Sequence, residues 1–512
     1  MRFPVVACLI LSLANAFSAT TTFGPRSRHS DNDNSNSNYD RRHSSSFFQA
    51  AQDSDTILPE FASKDEYLTY LKSIATLPKG FATGTADGEF VSVEAPSIGS
   101  LPIRATVIHL TEGPTDNWAA VFTQNRFPGA PIVVGKQRLA SGQPLHALVI
   151  NNKVSNVCSG GDGVADAEQV CHAVAETLNL PGGSQTVFPS STGIIGWRLP
   201  AQELSAIVPQ AVQSLQVDNA LNAATAIMTT DRYPKVRSKT LSNGARIVGI
   251  AKGAGMIEPN MATMLSYIMT DATVPKQTLQ SFLEIASNES FNSISVDGDE
   301  STSDTVVLMA SNQIDTSSDM LDPQSGGEFL QALKDVTQGL ASDLVRNGEG
   351  TSHVMKVQIT NFPGTSHEAR RLGRHIVNSP LFKCAVSGND PNTGRLAGAI
   401  GSFMGKFKPT EPIHQMSLKL GGRCIFNKGK FVLEGDDVER ELSDHMKHAQ
   451  LTEHGDYPEH QKYVEIDIDF LPDNNKEEED DSSSTTTPRS SATVLGSDLT
   501  NEYVAVNADY RS

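Results

Sequence analysis

Cysteine is scarce in this chain, and basic residues are outnumbered by acidic ones. Only 5 of the 512 residues are cysteine, without any Cys-x-x-Cys pair and without the spacing of metal ligands. This pattern predicts reduced, buried thiols in a non-oxidising compartment and argues against a zinc module. The formal net charge of −18 argues against binding to nucleic acid or to an anionic membrane, because both need a basic face. The 13 histidines also lack metal-ligand spacing, so we predict no metal site.

Two motifs that would indicate other functions are incomplete. Residues 253–255 are Gly-Ala-Gly, but the third glycine of a dinucleotide-binding loop is missing. Residues 297–301 begin like a calcium-binding loop, yet Thr302 stands where that loop needs glycine and Leu308 where it needs a bidentate acid. We therefore predict neither a dinucleotide site nor a calcium site.

The N-terminus contains an apolar run that is too short to span a bilayer. Residues 5–13 are apolar apart from Ser12, whereas a membrane-spanning helix needs about 20 apolar residues. With Ala-Asn-Ala at residues 14–16, the run predicts a signal-like targeting segment over residues 1–16 and no membrane span. Residues 17–76 are predicted to be a presequence and disordered lead-in that carries one short helical pattern near its end.

The arrangement of this N-terminal region predicts an organellar protein. A signal-like segment followed by a Ser- and Arg-rich stretch resembles the two-part plastid presequence of algae with secondary plastids, which implies the plastid stroma. The mitochondrial matrix is the close alternative, since residues 26–42 also contain several arginines. Simple secretion is the third alternative, and the low cysteine content argues against it.

Helical and strand patterns alternate through both halves of the chain and predict an α/β fold with mixed sheets in two parts. An N-terminal body is predicted over residues 77–262 and a C-terminal body over residues 263–512. Residues 472–495, which are acidic and then rich in serine and threonine, are predicted to be a low-complexity insertion. Periodicity predicts helices over residues 164–178, 279–286 and 329–344, and strands over residues 105–110, 132–135, 147–150, 306–309, 355–360, 463–470 and 503–507.

The segment that leads to Thr263 suggests covalent chemistry. Residues 252–262 are Lys-Gly-Ala-Gly-Met-Ile-Glu-Pro-Asn-Met-Ala and are rich in small, permissive residues. Threonine is a weak nucleophile unless a base lies beside it, and a cut just before the residue would make its own α-amine that base. Such an amine has a pKa of about 7.7–8.0, close to the working pH. By itself, a threonine in so apolar a run is more often a buried core hydroxyl.

This segment resembles the self-cleavage site of the ornithine acetyltransferase (glutamate N-acetyltransferase) family of arginine biosynthesis. Further stretches resemble blocks of the same family and follow its order. The resemblance covers most of the chain from about residue 80 onward, at residues 121–127, 190–196, 228–231, 296–305, 378–381, 388–395 and 507–512.

The resemblance implies a role for particular residues. The scissile bond would join Ala262 to Thr263, and Thr263 would become the nucleophile. The oxyanion hole would consist of the Thr192 side chain and the Gly193 backbone N–H. The residues implied to line the amino-acid pocket are Thr229, Lys252, Thr263, Glu349, Asn507 and Ser512.

The implied reaction transfers the acetyl group of N2-acetylornithine to glutamate through an acetyl-threonine intermediate, with ping-pong kinetics. Lys252 would form an ion pair with a substrate α-carboxylate, and Glu349 would form one with a substrate ammonium. No cofactor is implied, and acetyl-CoA stays open as a co-substrate. The two chains, alpha and beta, would remain associated and pair into a heterotetramer. The alternatives are a self-cleaving N-terminal-threonine amidohydrolase, which passes the acyl group to water, and an inactive homologue, which the complete set of site residues disfavours.

Overall fold

The structure is a computed structural model that describes residues 58–258, 264–325, 327–452, 455–470 and 489–508. The targeting segment 1–16, the cleavage pair Ala262 and Thr263, and Ser512 therefore lie outside the described residues. The strands are β1 (Phe81–Val91), β2 (Ser100–Leu110), β3 (Trp118–Phe122), β4 (Ala147–Asn151), β5 (Val187–Ser191), β6 (Lys235–Thr240), β7 (Arg246–Lys252), β8 (Leu265–Ala272), β9 (Ile294–Ser295), β10 (Thr305–Ile314), β11 (Val354–Pro363), β12 (Ser417–Leu420), β13 (Arg423–Asn427), β14 (Lys430–Phe431), β15 (Val464–Asp469) and β16 (Arg489–Ser497). The α-helices are α1 (Lys64–Ile74), α2 (Ala130–Ser141), α3 (Gly163–Thr177), α4 (Ala201–Gln213), α5 (Leu221–Ala226), α6 (Lys276–Glu289), α7 (Ser318–Leu321), α8 (Glu328–Arg346), α9 (Ser366–Val377), α10 (Pro380–Ser387), α11 (Thr393–Phe407), α12 (Asp436–His448) and α13 (Asn501–Ala508).

Two sheets that pack face to face form the centre of the fold. The first has the strand order β1–β2–β4–β5 and the second the order β3–β10–β8–β7–β6. Burial of apolar side chains between them stabilises the pair by roughly 25 cal/mol per Å² removed from water. The shared core draws side chains from both sheets, among them Ile150, Phe188, Ile250, Tyr267 and Val307.

Helices cover the outer face of each of these sheets. Successive residues of a strand point to opposite faces, so Val248 enters the shared core while Ile247 packs with residues of α6 and α8. On the other side, α3 and α4 pack against the first sheet through residues such as Val174 and Val208. The result is a helix–sheet–sheet–helix arrangement, and the predicted α/β class with mixed sheets is confirmed.

A third sheet, with the order β14–β13–β12–β15–β11–β16–β9, lies in the C-terminal part of the chain. Its strand β11 runs parallel to β15 and antiparallel to β16. Helices α9, α11 and α12 contribute to its apolar core. The alternating strand that the sequence predicted at residues 463–470 is β15.

The second sheet combines strands from both sides of the predicted cleavage bond. Strands β3, β6 and β7 precede that bond, while β8 and β10 follow it. Lys252, at the end of β7, pairs with Leu265 at the start of β8, and Leu265 pairs in turn with Thr305 of β10. The predicted bodies 77–262 and 263–512 are therefore chain segments that share one sheet, and not separately folded domains.

The ordered part of the chain begins earlier than predicted. Residues 17–76 were expected to be a disordered lead-in, but Leu58, Tyr67 and Leu71 are buried in the shared core. The Tyr67 hydroxyl donates a hydrogen bond of 2.7 Å to the Pro234 carbonyl. The short helical pattern is α1, and Ser63 caps its N-terminus. The prediction of disorder is wrong for residues 58–76, because this helix supplies part of the core.

Residues 132–135 belong to helix α2, although the β-branched run predicted a strand. Pro131 occupies the first turn of this helix, and Gly142 ends it in the left-handed conformation with φ +70°. A Cβ at Gly135 would lie 2.7 Å from the ring of Phe188, so the helix packs very closely on the first sheet. The terminal signals and tertiary packing outweigh the β-propensity of the run.

Two predictions near the C-terminus are also wrong. Residues 489–495 were assigned to the insertion, yet they form most of β16, which is paired along β11. The predicted strand 503–507 is part of α13, where the Tyr503 N–H donates to Thr500 Oγ1 at 3.3 Å. A threonine at this position is a frequent helix N-cap, and this signal outweighs the short alternating pattern that follows.

Candidate active site

A cavity of about 300 Å³ lies where β7, β8 and β10 meet the end of β5. Met264 and Leu265, which directly follow Thr263 in the sequence, also line it. Ala262, Thr263 and Ser512 fall outside the described residues, so their predicted roles stay predictions. The cavity brings together six predicted residues: Thr192, Gly193, Thr229, Lys252, Glu349 and Asn507.

The predicted oxyanion pair lies on a tight turn just after β5. The Thr192 N–H donates to the Asn151 carbonyl at 3.1 Å, which extends the pairing between β4 and β5 by one residue. Gly193 has φ +129°, and a Cβ there would lie 2.1 Å from the carbonyl carbon of Lys153. Only glycine fits this position. The turn therefore fixes a backbone N–H beside the Thr192 hydroxyl at the cavity.

Lys252 reaches the cavity as a buried ammonium. Its Nζ donates to Thr192 Oγ1 at 3.0 Å. Burial lowers the pKa of Lys252, while the negative charges of Asp231, Asp304 and Glu349 oppose that shift. Because Thr192 Oγ1 accepts from Lys252, its own hydrogen is left to donate to another acceptor. The pair thus offers a hydroxyl donor backed by a positive charge.

Asp231 lies behind the cavity lining and holds neighbouring residues in place, a role that the sequence did not assign to it. It accepts hydrogen bonds from the Gly253 N–H at 2.7 Å and from Lys235 Nζ at 2.5 Å. Its second oxygen accepts from the Thr229 N–H at 3.1 Å. Burial would raise the pKa of Asp231, but Lys235 and Lys252 outweigh that effect and bring it to about 2. The ionised carboxylate thereby fixes both Thr229 and the backbone that follows Lys252.

Glu349 and Asn507 form a second polar group at the cavity. The Asn507 side-chain amide donates to Glu349 Oε2 at 3.0 Å. The Glu349 N–H donates to the Ala254 carbonyl at 2.8 Å, which ties the glutamate to the segment before the predicted cleavage bond. A Cβ at Gly255 would lie 2.3 Å from Glu349 Oε2, so the absence of a side chain there lets the Glu349 carboxylate approach the backbone closely. A half-buried carboxylate therefore lies in the same cavity as the ammonium of Lys252.

The backbone just before the predicted cleavage bond is held by a carboxylate. Asp297 accepts from the Met256 N–H at 2.7 Å and from the Ile257 N–H at 2.8 Å. Glu258 in turn accepts hydrogen bonds from Ser295 and Asn378. The resemblance placed residues 296–305 and 378–381 in family blocks but implied no role for any single residue there. The contacts assign Asp297 and Asn378 to the support of residues 256–258.

Asp304 is a further acid of the cavity that the sequence analysis left without a role. It lies immediately before β10 and is 3% exposed. Burial raises the pKa of Asp304 well above its ordinary value. Hydrogen bonds from the Met264 N–H and from Ser301, together with the charge of Lys252, act to lower this pKa but do not offset the effect of burial. The sequence marks Asp304 only by its place within the family block 296–305. Sequence alone does not distinguish a buried acid from a solvated one.

The described part of the chain has no group of three or more His, Cys, Asp or Glu side chains arranged to hold a metal ion. Across the same residues, no helix is both long and apolar enough to cross a membrane. The polar groups of the cavity are hydroxyl, amide, ammonium and carboxylate, which suit recognition of small polar molecules and acyl chemistry.

Comparison with known proteins places most of the chain in one family. Residues 103–512 match the ArgJ family. The arginine biosynthesis bifunctional protein ArgJ of Gluconobacter oxydans is 36% identical over 401 residues, covering 77% of this chain and 85% of that protein. The protein of the same name from Listeria monocytogenes is 35% identical over 399 residues, covering 77% and 90%. The crystal structure of an argJ protein from Bacillus halodurans is similar with a TM-score of 0.39 and 28% identity, over 48% of this chain and 100% of that one.

The α/β fold holds a cavity lined by hydroxyl, amide, ammonium and carboxylate groups, a set that suits an acyl-transferring enzyme. The match covers most of the chain at more than a third identity to several relatives. This chain belongs to the ArgJ family. The resemblance identified from the sequence is thereby confirmed, and so is the class that it implies, an acetyltransferase of arginine biosynthesis.

Proposed function

We propose that this protein transfers the acetyl group of N2-acetylornithine to glutamate, with Thr263 as the nucleophile. The observation that carries the proposal is the composition of the cavity. It gathers the donor pair Thr192 and Gly193, the ammonium of Lys252 and the carboxylate of Glu349 beside the residues that follow Thr263. One cavity of about 300 Å³ serves both half-reactions, which gives ping-pong kinetics.

In the first half-reaction the Thr263 hydroxyl attacks the acetyl carbonyl and its α-amine takes the proton. The Gly193 N–H and the Thr192 hydroxyl donate to the oxyanion, and Lys252 supports that hydroxyl at 3.0 Å. The α-amine then gives the proton to the departing nitrogen of ornithine. In the second half-reaction the α-amine of glutamate attacks the acetyl-threonine ester and regenerates the hydroxyl.

Both substrates are amino acids, and the charges of the cavity suit them. Lys252 pairs with the α-carboxylate, and Glu349 pairs with the side-chain ammonium of ornithine. The amide of Asn507 holds one oxygen of Glu349 at 3.0 Å, so the carboxylate keeps a fixed orientation. Thr229 contributes at the floor of the cavity, and Ser512 completes the pocket from the chain terminus in this proposal.

We also propose that the Thr263 hydroxyl cleaves the chain before the enzyme becomes active. It attacks the Ala262 carbonyl, the acyl group moves from nitrogen to oxygen, and water hydrolyses the ester. The alpha and beta chains stay together because strands from both sides of the bond share the second sheet. Two such units associate into a heterotetramer.

Intact mass spectrometry of purified protein tests the nucleophile. Wild-type material should give two chains with threonine at the new N-terminus, and Thr263→Ala should remain one chain. Thr263→Ser is the matched control, since it keeps a hydroxyl and should still be cleaved. Two chains from Thr263→Ala, or full turnover by an uncleaved wild-type chain, would contradict the assignment.

The amidohydrolase alternative differs in the acceptor of the acetyl group. Processed enzyme is incubated with N2-acetylornithine in the presence and absence of glutamate, and ornithine, acetylglutamate and acetate are measured. Transfer predicts that sustained ornithine release depends on glutamate. Equal release without glutamate, together with free acetate, would establish hydrolysis instead. Acetyl-CoA as the only donor tests the additional co-substrate role in the same assay.

We further propose that the protein acts in the plastid stroma, with the mitochondrial matrix as the alternative. The proposal depends on the signal-like residues 1–16 and the Ser- and Arg-rich stretch after them. Fusion of residues 1–60 to a fluorescent reporter tests it by colocalisation with markers of both organelles. Export of the reporter from the cell would overturn both assignments.

A further inference from the structure

A buried polar cluster outside the cavity joins three parts of the chain to which the proposed reaction gives no task. It consists of Ser352 and His353 just before β11, Asn389 after α10 and Asp498 directly after β16. The Asp498 carboxylate accepts the Ser352 N–H at 2.9 Å and also the Ser352 hydroxyl. His353 Nδ1 lies 2.9 Å from Asp498 Oδ2, and its Nε2 lies 3.1 Å from Asn389 Oδ1. Because the Ser352 hydroxyl donates to the carboxylate itself, the cluster is not a nucleophilic triad.

Burial makes this cluster depend on all of its partners. Asp498 is 3% exposed and His353 is 0% exposed. A buried carboxylate or imidazole that lacks a hydrogen-bond partner costs free energy, so the segments before β11 and after β16 are stable here only when they lie together. The Asp498 N–H also donates to the His353 carbonyl at 3.2 Å. The cluster therefore fixes the relative position of these two segments.

The same two segments lead to two residues of the cavity. Glu349 lies three residues before Ser352, and helix α13, which carries Asn507, begins three residues after Asp498. None of the eight residues of α13 is buried, so burial of its own side chains does not hold this helix in place. The hydrogen bond between Asn507 and Glu349 involves an exposed amide and adds little rigidity. The position of α13 therefore depends on how its first residues are attached.

The start of α13 is attached to the residue that follows Glu349. Thr500 Oγ1 donates to the Gly350 carbonyl at 2.6 Å. Gly350 has φ +65°, and a Cβ there would lie 2.3 Å from the backbone nitrogen of Tyr503. The two backbones thus pack in direct contact, and a small shift after β16 would be passed on to Asn507.

We propose that Asp498 is a positioning residue that sets the preference of the enzyme for a substrate whose side chain ends in an ammonium. Its carboxylate holds the two segments together, which keeps the Asn507 amide on Glu349 and the Glu349 carboxylate at the cavity. Asp498 does not line the cavity, so it acts on the substrate through Glu349. The inference rests on the proposed function, in which Glu349 pairs with the side-chain ammonium of ornithine.

The test compares two acetyl donors of equal chain length, N2-acetylornithine and N2-acetylnorvaline, which lacks the side-chain ammonium. For processed Asp498→Asn, KM for N2-acetylornithine should rise by about tenfold at little-changed kcat, because a charge-assisted contact weakens equally in the ground state and the transition state. Kinetics with N2-acetylnorvaline should stay within about twofold of wild type, since this donor has no ammonium to pair with Glu349.

Asp271→Asn is the matched control. Asp271 is 2% exposed and accepts the N–H groups of Lys79 and Arg246 at 3.0 and 2.7 Å, but it lies at the end of β8 that is away from the cavity. Its replacement should lower Tm and leave the preference between the two donors unchanged. Because Asp498 acts through Glu349, Asp498→Asn combined with Glu349→Gln should lose no more of the preference than Glu349→Gln alone.

An Asp498→Asn enzyme that is cleaved and keeps the wild-type preference would overturn the proposal. Equal losses with both donors would also overturn it, because they would show a general structural effect. Failure of wild-type enzyme to transfer acetyl from N2-acetylornithine would instead refute the proposed function itself. Wild-type enzyme without a preference between the two donors would refute the pairing of Glu349 with the ammonium, and this inference with it.

If Asp498→Asn does not fold or is not cleaved, Ser352→Ala decides, since it removes only the hydroxyl that donates to Asp498. A rise in KM that is confined to N2-acetylornithine then supports the proposal. Wild-type kinetics, or equal losses with both donors, overturn it.

Discussion

Replacement of Thr192 by valine should remove one oxyanion donor while keeping the shape of the side chain. Thr192 is 8% exposed, and its Oγ1 accepts from Lys252 Nζ at 3.0 Å. Loss of one such donor raises the barrier by roughly 2.7–4 kcal/mol, which lowers kcat by about 10²–10³-fold. The buried ammonium of Lys252 also loses an acceptor, at a cost of about 1–3 kcal/mol. That second cost is present with and without substrate, so it reduces stability rather than kcat.

The assay measures acetyl transfer to glutamate by processed enzyme, with kcat and KM determined separately. Thr192→Ser is the matched control, because it keeps the hydroxyl and should stay within about tenfold of wild type. Self-cleavage of Thr192→Val should also slow, since the same donors would face the Ala262 carbonyl in that reaction. A Thr192→Val enzyme that is cleaved normally and has a kcat within about threefold of wild type would refute the assignment of the oxyanion hole.

Three further changes test the structure. Gly193→Ala should lower Tm and prevent cleavage. The backbone φ at this position is +129°, and the new Cβ would lie 2.1 Å from the Lys153 carbonyl carbon. An unchanged Tm would contradict this prediction. Asp231→Asn should lower the free energy of unfolding, measured by chemical denaturation, by roughly 3–5 kcal/mol, because the fully buried Lys235 loses its anionic partner. A loss below about 1 kcal/mol would show that other groups compensate the charge of Lys235. Burial lowers the pKa of Lys383 to about 8. The unfolded chain therefore binds more protons from that pH up to about 10.4, and stability should rise with pH across this window. Denaturation at several pH values should show a flatter rise for Lys383→Met, and an identical slope would exclude this group as the cause.

The candidate site was predictable from sequence wherever a residue belongs to a recognisable block. Lys252 lies 60 residues after Thr192 and its neighbour Gly193, yet the resemblance predicted that the three meet, and all of them line the cavity. The partners that fix them were not predicted. Asp231 lies in one of these blocks, but its hydrogen bond to Lys235 becomes visible only when both side chains are found buried together. Motif spacing in the sequence predicts which residues could lie together, but it does not predict which charged side chains become buried.

The fold was predictable where an amphipathic pattern is long and its ends are marked. Helices α3, α6 and α8 follow the predicted apolar stripes. Short segments failed because local propensity is a weak signal there. Residues 132–135 are rich in β-branched side chains, but they lie in a helix that has a proline in its first turn. Residues 503–507 alternate like a strand, but they follow a threonine that caps a helix. In both, the boundary residues carried more information than the interior.

The pairing of β7 with β8 in the second sheet also constrains how the protein must be made. Strands β7 and β8 pair in register from Ile247 and Thr270 to Lys252 and Leu265. A polypeptide ending after β7 and another beginning before β8 would each expose a long unsatisfied strand edge, which invites aggregation. The uncut precursor thus serves as its own assembly template, and splitting the gene at this junction is expected to yield insoluble halves where the single gene yields soluble enzyme.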